Sequence, residues 1–261
     1  MPAPVPKTAA SELLDRIAAA AKRPDISEFE LQRFEADAKR LLKVDAAGAH
    51  QALGAIASLR FDVEGVKQHH EAAIKLTSDV AARLNYAVSL ENVALYSEAA
   101  ARFLEPVKVE PENLLFLSHA ITSHLLAGKI AKAAELVAKY RRLTPDATAD
   151  KEFDAAESVK TLFEKHEIPE SELMQALEIA YDVVRQRRLR LDETSIHVER
   201  QNGDESVVYR LYVLAGLKEA LAADAELTQK IAETMENIHP SRLAIMIDPA
   251  RRNESHTAAV A

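Results

Sequence analysis

The chain of 261 residues has no cysteine and no tryptophan, only six glycines, and an aromatic share of 5%. The absence of cysteine removes disulfide frameworks, thiolate nucleophiles and cysteine-based zinc sites together, and leaves the redox compartment unmarked. Six glycines are too few for a turn-rich all-β fold. Because aromatics are scarce among 48% apolar residues, the core has to be built from Ala, Leu, Val and Ile. Leu and Ala are strong helix formers, and small alanine faces let helices approach closely. No apolar run reaches the roughly 18 residues of a membrane span. The opening MPAPVPKTAASELLD lacks the charged start and continuous apolar stretch of a secretory signal, so the expected location is cytoplasmic. A glycine-rich phosphate loop and a GxSxG elbow are missing too, and the carboxylates are scattered at helix-surface spacing. The chain is therefore expected to be no enzyme and to need no cofactor. A formal net charge of −8 argues against a general nucleic-acid binder that works by neutralising phosphates.

What is present reads mostly as helix. This length holds one large domain or two modest ones. Residues 1–10, small and Pro-rich, read as a mobile leader. From Ser11 the apolar residues Leu13, Leu14 and Ile17 share a face until Pro24 interrupts. Ser27 followed by Glu30 has the form of a capping box, in which hydroxyl and carboxylate satisfy each other's exposed amides. The helix it opens carries Phe29, Phe34, Ala38, Leu41 and Leu42 to about Val44.

The next hundred residues hold the strongest signal, a self-similarity with a period close to 34. VKQHHEAAIKLTSD ends at Asp79, AAARFLEPVKVEPE at Glu112 and AAELVAKYRRLTPD at Asp146, separations of 33 and 34 residues. Leu53 and Gly54 recur as Tyr86 and Ala87, then as Ala120 and Ile121. Val66, Ala99 and Ala133 hold one register, and Pro111 and Pro145 close the second and third units where Ser78 closes the first. A single helix pair cannot bury its own apolar face, so each unit needs a neighbour and the stack needs end caps. Residues 149–165, with Phe153, Ala156, Val159 and Phe163 on one stripe, are the predicted cap.

Residues 47 to 147 resemble the tetratricopeptide repeat family, whose unit is a pair of antiparallel helices in 34 residues. Its leucine-glycine pair matches Leu53 and Gly54, its turn glycine Gly128, and the alanine where its helices touch Ala99 and Ala133. Its second-helix aromatic matches Phe103 and its closing proline Pro111 and Pro145. The chain departs from the pattern in lacking the usual tryptophan, in placing Phe61 at the turn of the first unit, and in placing Pro106 where an alanine is expected.

After His166 the character changes. Pro169 and Ser171 start a helix with Leu173, Leu177, Ala180 and Val184. SIHVERQ and SVVYRLYVL then alternate as strands around Asn202-Gly203, a hairpin signal that pairs Val198 with Val207 and Ile196 with Tyr209. A helix from about Leu217 to Met235, with Leu221, Leu227 and Ile231 apolar, and a strand at residues 243–247 complete the unit. The expected organisation is a leader (1–10), a helical repeat domain (11–166), a small α+β domain (167–248) and a disordered tail (249–261). The fold class is mainly α: a helix-pair solenoid followed by helix, hairpin, helix and strand.

The resemblance implies a groove lined by the first helices, in which a partner segment lies. Carried over position by position, the lining is Gln51, Ala55, Ser58, Leu84, Asn85, Val88, Glu91, Asn92, Ser118, His119, Thr122 and Leu125. Asn85 stands where peptide-binding members often place an asparagine that both donates to and accepts from a backbone. Gln51, Ala55, Leu115 and His119 occupy the places of the lysine and arginine set that clamps a terminal carboxylate in some members, which disfavours an acidic C-terminal ligand. Against the groove stands the plainer reading that these are ordinary polar residues of an exposed helix face. His69-His70 and the pair His119 and His124 have poor spacing for one metal ion, and HEIPE at His166 lacks the second histidine of a zinc helix. Arg185, Arg187, Arg188 and Arg190 form a basic cluster that complements a helix C-terminus or, alternatively, contacts nucleic acid. The second strand of the hairpin is apolar on both faces, so one side calls for cover by the stack or by a second copy of the chain. The function expected is a protein-interaction adaptor; the alternative is a regulator that touches nucleic acid through the arginine cluster.

Overall fold

The computed structural model describes residues 8–145, 151–201, 204–235 and 241–250. Among these residues ten helices run in succession before the first strand. Helices α1 (Ala9–Ala21) and α2 (Glu28–Leu41) form a first pair, followed by α3 (Ala46–Leu59) with α4 (Val63–Leu76), α5 (Val80–Asn92) with α6 (Tyr96–Val109), and α7 (Leu114–Leu126) with α8 (Ile130–Leu143). Short polar side chains start most of them. Thr8, Ser27, Asp45, Asp62, Asp79 and Asn113 each accept a hydrogen bond from an otherwise unpaired amide of the first turn. At Ser27 only half of the capping box forms: Oγ accepts from the Glu30 amide at 3.2 Å, while the Glu30 carboxylate is drawn to Arg23. Phe29, expected on the packed side of α2, is exposed, and Leu31 with Phe34 faces inward instead. The leader is shorter than expected, because α1 already begins at Ala9 and Ala10 is buried close to Gly48.

The period of the sequence is also a period of the packing. Val66, Ala99 and Ala133 are all fully buried where the second helix of each pair meets the first, and Tyr86, Ala87, Ala120 and Ile121 are buried on the facing side. The backbone carries the same repeat at a point that side-chain identity hides. Phe61 (φ 56°), Ala94 (φ 55°) and Gly128 (φ 72°) all adopt the left-handed conformation in the turn between paired helices. Only the last is glycine, so the first two hold a conformation that costs a residue with a Cβ about 1–2 kcal/mol. Pro106 lies inside α6 without ending it, and is buried.

Helix α9 (Lys151–His166) caps the stack, with Phe153, Ala156, Val159 and Phe163 buried as predicted. Then come α10 (Glu170–Gln186), β1 (Leu191–Gln201), β2 (Asp204–Val213), α11 (Leu217–Thr234) and β3 (Leu243–Pro249). The sheet order is β1-β2-β3, with β1 antiparallel and β3 parallel to β2. Ile196 pairs with Tyr209 and Val198 with Val207, the predicted register, although Asn202-Gly203 lies outside the described residues. In α11 the buried stripe is Ala220, Ala223 and Leu227, and Leu221 is exposed; the alanines allow the close approach that a leucine would prevent. Of the expected tail, Pro249 closes β3 and residues 251–261 lie outside the description.

Of the two faces of β2, one carries Val207, Tyr209, Leu211 and Val213, all fully buried. This face joins a single hydrophobic core that extends from Ala57 in α3 to Ile247 in β3. The stack therefore covers one side of the hairpin. On the opposite face Val208 is buried, but Arg210 and Tyr212 are only partly so, and Arg210 pairs with Asp248 at 3.1 Å. A second, smaller core joins α1, α2 and the adjoining side of α3.

Candidate functional site

The residues carried over to the groove separate into two groups. Along the middle of α5 and α7, Val88 and Thr122 are exposed, and Asn85, Leu84, Ser118 and His119 are partly so. In the last turns Ser58 and Leu125 are buried, Glu91 is partly buried and Asn92 exposed, while Gln51, in the first half of α3, is buried beside Asn85. Ser58, Glu91 and Asn92 border a small cavity with Arg190 and Leu191, and the Leu125 carbonyl accepts a 3.1 Å bond from the Tyr209 hydroxyl. Ser58 and Leu125 thus do not line an open groove: the α10–β1 connection and β2 close that end. Leu84 packs against the core rather than standing free.

Along this face residues one repeat apart touch. Asn85 Nδ2 donates to Gln51 Oε1 at 2.7 Å, and Asn92 Nδ2 reaches Ser58 Oγ at 3.4 Å, each pair 34 residues apart. His119 is the next position in the first of these rows. Its ring stacks on Phe103 with centroids 5.3 Å apart, and burial holds its pKa below the usual histidine value, so it stays neutral at neutral pH. A neutral ring in this place adds a physical reason against the carboxylate clamp. Burial pushes the Glu91 carboxyl up to about 7; Ser123 Oγ faces it but lies beyond close hydrogen-bond reach, so it offsets little of that rise.

The histidines serve the packing. His70 is fully buried, its ring stacked on Tyr86 at 5.2 Å and its Nε2 2.8 Å from Ser89 Oγ. It occupies the notch left by Gly54, where a Cβ would stand 2.5 Å from the ring. Burial lowers its pKa to about 3, with the neighbouring His69 adding to the effect. His124 Nδ1 donates to the Ala120 carbonyl at 2.7 Å, on a different side of α7 from His119. Nδ1 of His50 and Nδ1 of His69 lie 3.2 Å apart, a pair the sequence spacing did not bring forward. Among the described residues no three histidine or carboxylate side chains gather around a common point.

The arginine cluster is largely committed to the chain itself. Arg185 pairs with Asp182 and Glu178 and donates to the Ala94 carbonyl at 2.9 Å. Arg187 pairs with Glu226 at 2.7 Å. Arg190 donates to the Pro24 carbonyl, and Arg188 is exposed on a left-handed residue at the end of α10. A nucleic-acid face would need these guanidinium groups free and side by side, and three of the four are held by separate partners within the chain.

Sequence reasoning did not find the contacts that hold the C-terminal unit on the stack. The Tyr181 hydroxyl donates to the Leu126 carbonyl at 2.7 Å, Tyr209 to that of Leu125, and Arg185 to that of Ala94. All three acceptors lie at or just past first-helix C-termini, where carbonyls lack intrahelical partners. Glu170 accepts from the Ala131 amide at 2.7 Å, capping α8, whose own Lys129 provides no side-chain cap. No helix among the described residues is long and apolar enough to cross a membrane. No family model, no curated protein and no solved structure matches this chain.

Proposed function

We propose that the chain is a protein-interaction scaffold of the tetratricopeptide type, which holds an extended segment of a partner protein against the first-helix face of its repeats. The observation that carries this reading is the repeat-spaced pair Asn85 and His119, with Gln51 buried one repeat earlier and bonded to Asn85, bordered by exposed Val88, Leu115 and Thr122. A row of polar groups at repeat spacing suits a peptide backbone, which offers donors and acceptors at regular intervals, and the exposed apolar side chains beside it suit its side chains. Asn85 commits its amide to Gln51, and its carbonyl oxygen makes no hydrogen bond among the described residues, so it remains to accept from a ligand. The occupied end of the face limits the partner to the span between α3 and the middle of α7.

The test uses the full-length chain as bait in lysate at moderate salt, run in parallel with and without nuclease treatment. Val88→Asp combined with Asn85→Ala is the informative variant, because Leu84 belongs to the core and its replacement would disturb folding. A partner protein held by the parent chain is expected to lose most of its retention, by tenfold or more for ~1.4 kcal/mol, while the circular dichroism of the variant stays unchanged. Equal retention by both baits would remove this face from the account, and retention that vanishes with nuclease would favour the nucleic-acid reading instead.

A further inference from the structure

Arg190 differs from its neighbours in the cluster. Arg185 and Arg187 have carboxylate partners and Arg188 is in solvent. Arg190 is partly buried, one nitrogen donates to the Pro24 carbonyl, and Nη1 is wholly buried with no hydrogen-bond partner among the described residues. Among the described residues no carboxylate stands within ion-pair distance of it. Burial and then the charge of Arg23 act against its protonation, and Asp25 only partly compensates. A partly buried cation without a counter-charge is disfavoured, and a buried donor without an acceptor calls for an occupant.

A cavity of about 130 Å³ opens beside it, bordered by Ser58, Glu91, Asn92 and Tyr96. We infer that this cavity is a binding site for a small oxyanion, inorganic phosphate or a short carboxylate, with the Arg190 guanidinium as its anchor. The planar fork of arginine offers two parallel donors that match either kind of anion, so the two share one chemistry. Among the described residues the Asn92 side chain makes the long 3.4 Å contact with Ser58 alone, which leaves its amide able to turn toward a better acceptor. Glu91 would oppose an anion if ionised, but burial pushes it up to about 7, so it is partly neutral near neutrality and more so once an anion sits beside it. The volume is well below the roughly 300 Å³ at which sites for larger organic ligands begin, which excludes a nucleotide.

The site joins three parts of the chain. Pro24 belongs to the connection between α1 and α2, Ser58 and Asn92 to the repeats, and Arg190 to the lead into β1. An occupant therefore ties the N-terminal pair to the C-terminal unit and raises stability as it saturates. The inference does not depend on the first-helix face proposed above, and its test reads no partner protein.

The full-length chain is titrated with inorganic phosphate and, separately, with acetate and propionate at constant ionic strength. Calorimetry and the thermal midpoint report binding. Saturable one-to-one binding of at least one probe is expected, weakened about tenfold or more in Arg190→Gln, since a charge-assisted hydrogen bond is lost. Arg188→Gln, which changes an exposed neighbour, is expected to bind as the parent does. The probe that binds decides between phosphate and carboxylate. Should Arg190→Gln fail to fold, Asn92→Leu serves, because Asn92 is exposed and outside the core, and the same direction of loss is expected. If neither probe binds saturably, or if binding survives these substitutions, the site is refuted.

Discussion

The helix pairs and the C-terminal unit are built on different kinds of contact. In the pairs each element packs on its neighbour in sequence, through small residues that recur at a fixed offset: Val66, Ala99 and Ala133. The C-terminal unit is held by single side chains that reach far back along the chain, Arg185 to Ala94 across 91 residues and Tyr209 to Leu125 across 84. Despite this contrast the two share one hydrophobic core. The lesson is that a repeat stack ends wherever its exposed edge finds a cover. Here the cover is a helix and a sheet whose side chains donate to carbonyls at the ends of the repeat helices.

The largest expected effect tests whether the two regions are one cooperative body. Tyr181 is fully buried, lies 4.4 Å from the Tyr96 ring and bonds to the Leu126 carbonyl. Tyr181→Ala is expected to cost about 3–5 kcal/mol, as loss of a buried aromatic does. Far-ultraviolet dichroism and tyrosine fluorescence should then fall together in one thermal transition. Two separate transitions would mean that the stack and the C-terminal unit fold independently.

A smaller effect separates two titratable groups inside the stack, one fully buried and one partly buried. His70 has a folded pKa near 3 against about 6.5 unfolded, so the unfolded chain holds more protons between those values and stability falls as pH drops through them. Glu91, raised to about 7 from 4.5, acts in the opposite sense, since the folded chain holds the extra proton and stability falls as pH rises from 4.5 to 7. In the parent chain these slopes oppose one another between pH 4.5 and 6.5. Glu91→Gln is expected to reveal the histidine slope, up to about 1.4 kcal/mol per pH unit below pH 6.5. Denaturant unfolding at pH 8, 6 and 5 measures it, and identical pH profiles for parent and variant would show that Glu91 is not buried as described.

The smallest effects lie in the turns. Gly128→Ala adds a Cβ at φ 72° that would stand 3.1 Å from Leu173 and Leu177, so a loss above about 1 kcal/mol is expected. Glu167 is exposed at φ 54°, and Glu167→Gly relieves roughly 1–2 kcal/mol of strain against 0.5–1 of added chain freedom, a net gain near 0.5. Chemical denaturation of both variants checks the pair, and equal signs would contradict the assigned backbone.

Much of this was legible before any coordinates. The 34-residue period, the hairpin register at Val198 and Val207, and the cap stripe from Phe153 to Phe163 all follow from spacing, because helix and strand periodicities translate directly into faces. The left-handed turns at Phe61 and Ala94 were concealed, since neither residue type favours that conformation. The candidate groove was legible as a row of positions and illegible as an open surface: nothing local marks Ser58 and Leu125 as covered.

The sequence by itself determined which residues pair within and between adjacent helices and strands, because those contacts depend on neighbours a few to some 34 positions away. The tertiary structure alone decided which end of the repeat face stays open, which arginines are already engaged, and that Arg190 is left with a buried, unpaired nitrogen. Those outcomes depend on where the C-terminal unit docks, and it docks through a shared apolar core and through hydrogen bonds to main-chain carbonyls. Every residue has such a carbonyl, so no side-chain pattern in the sequence records which ones will be used.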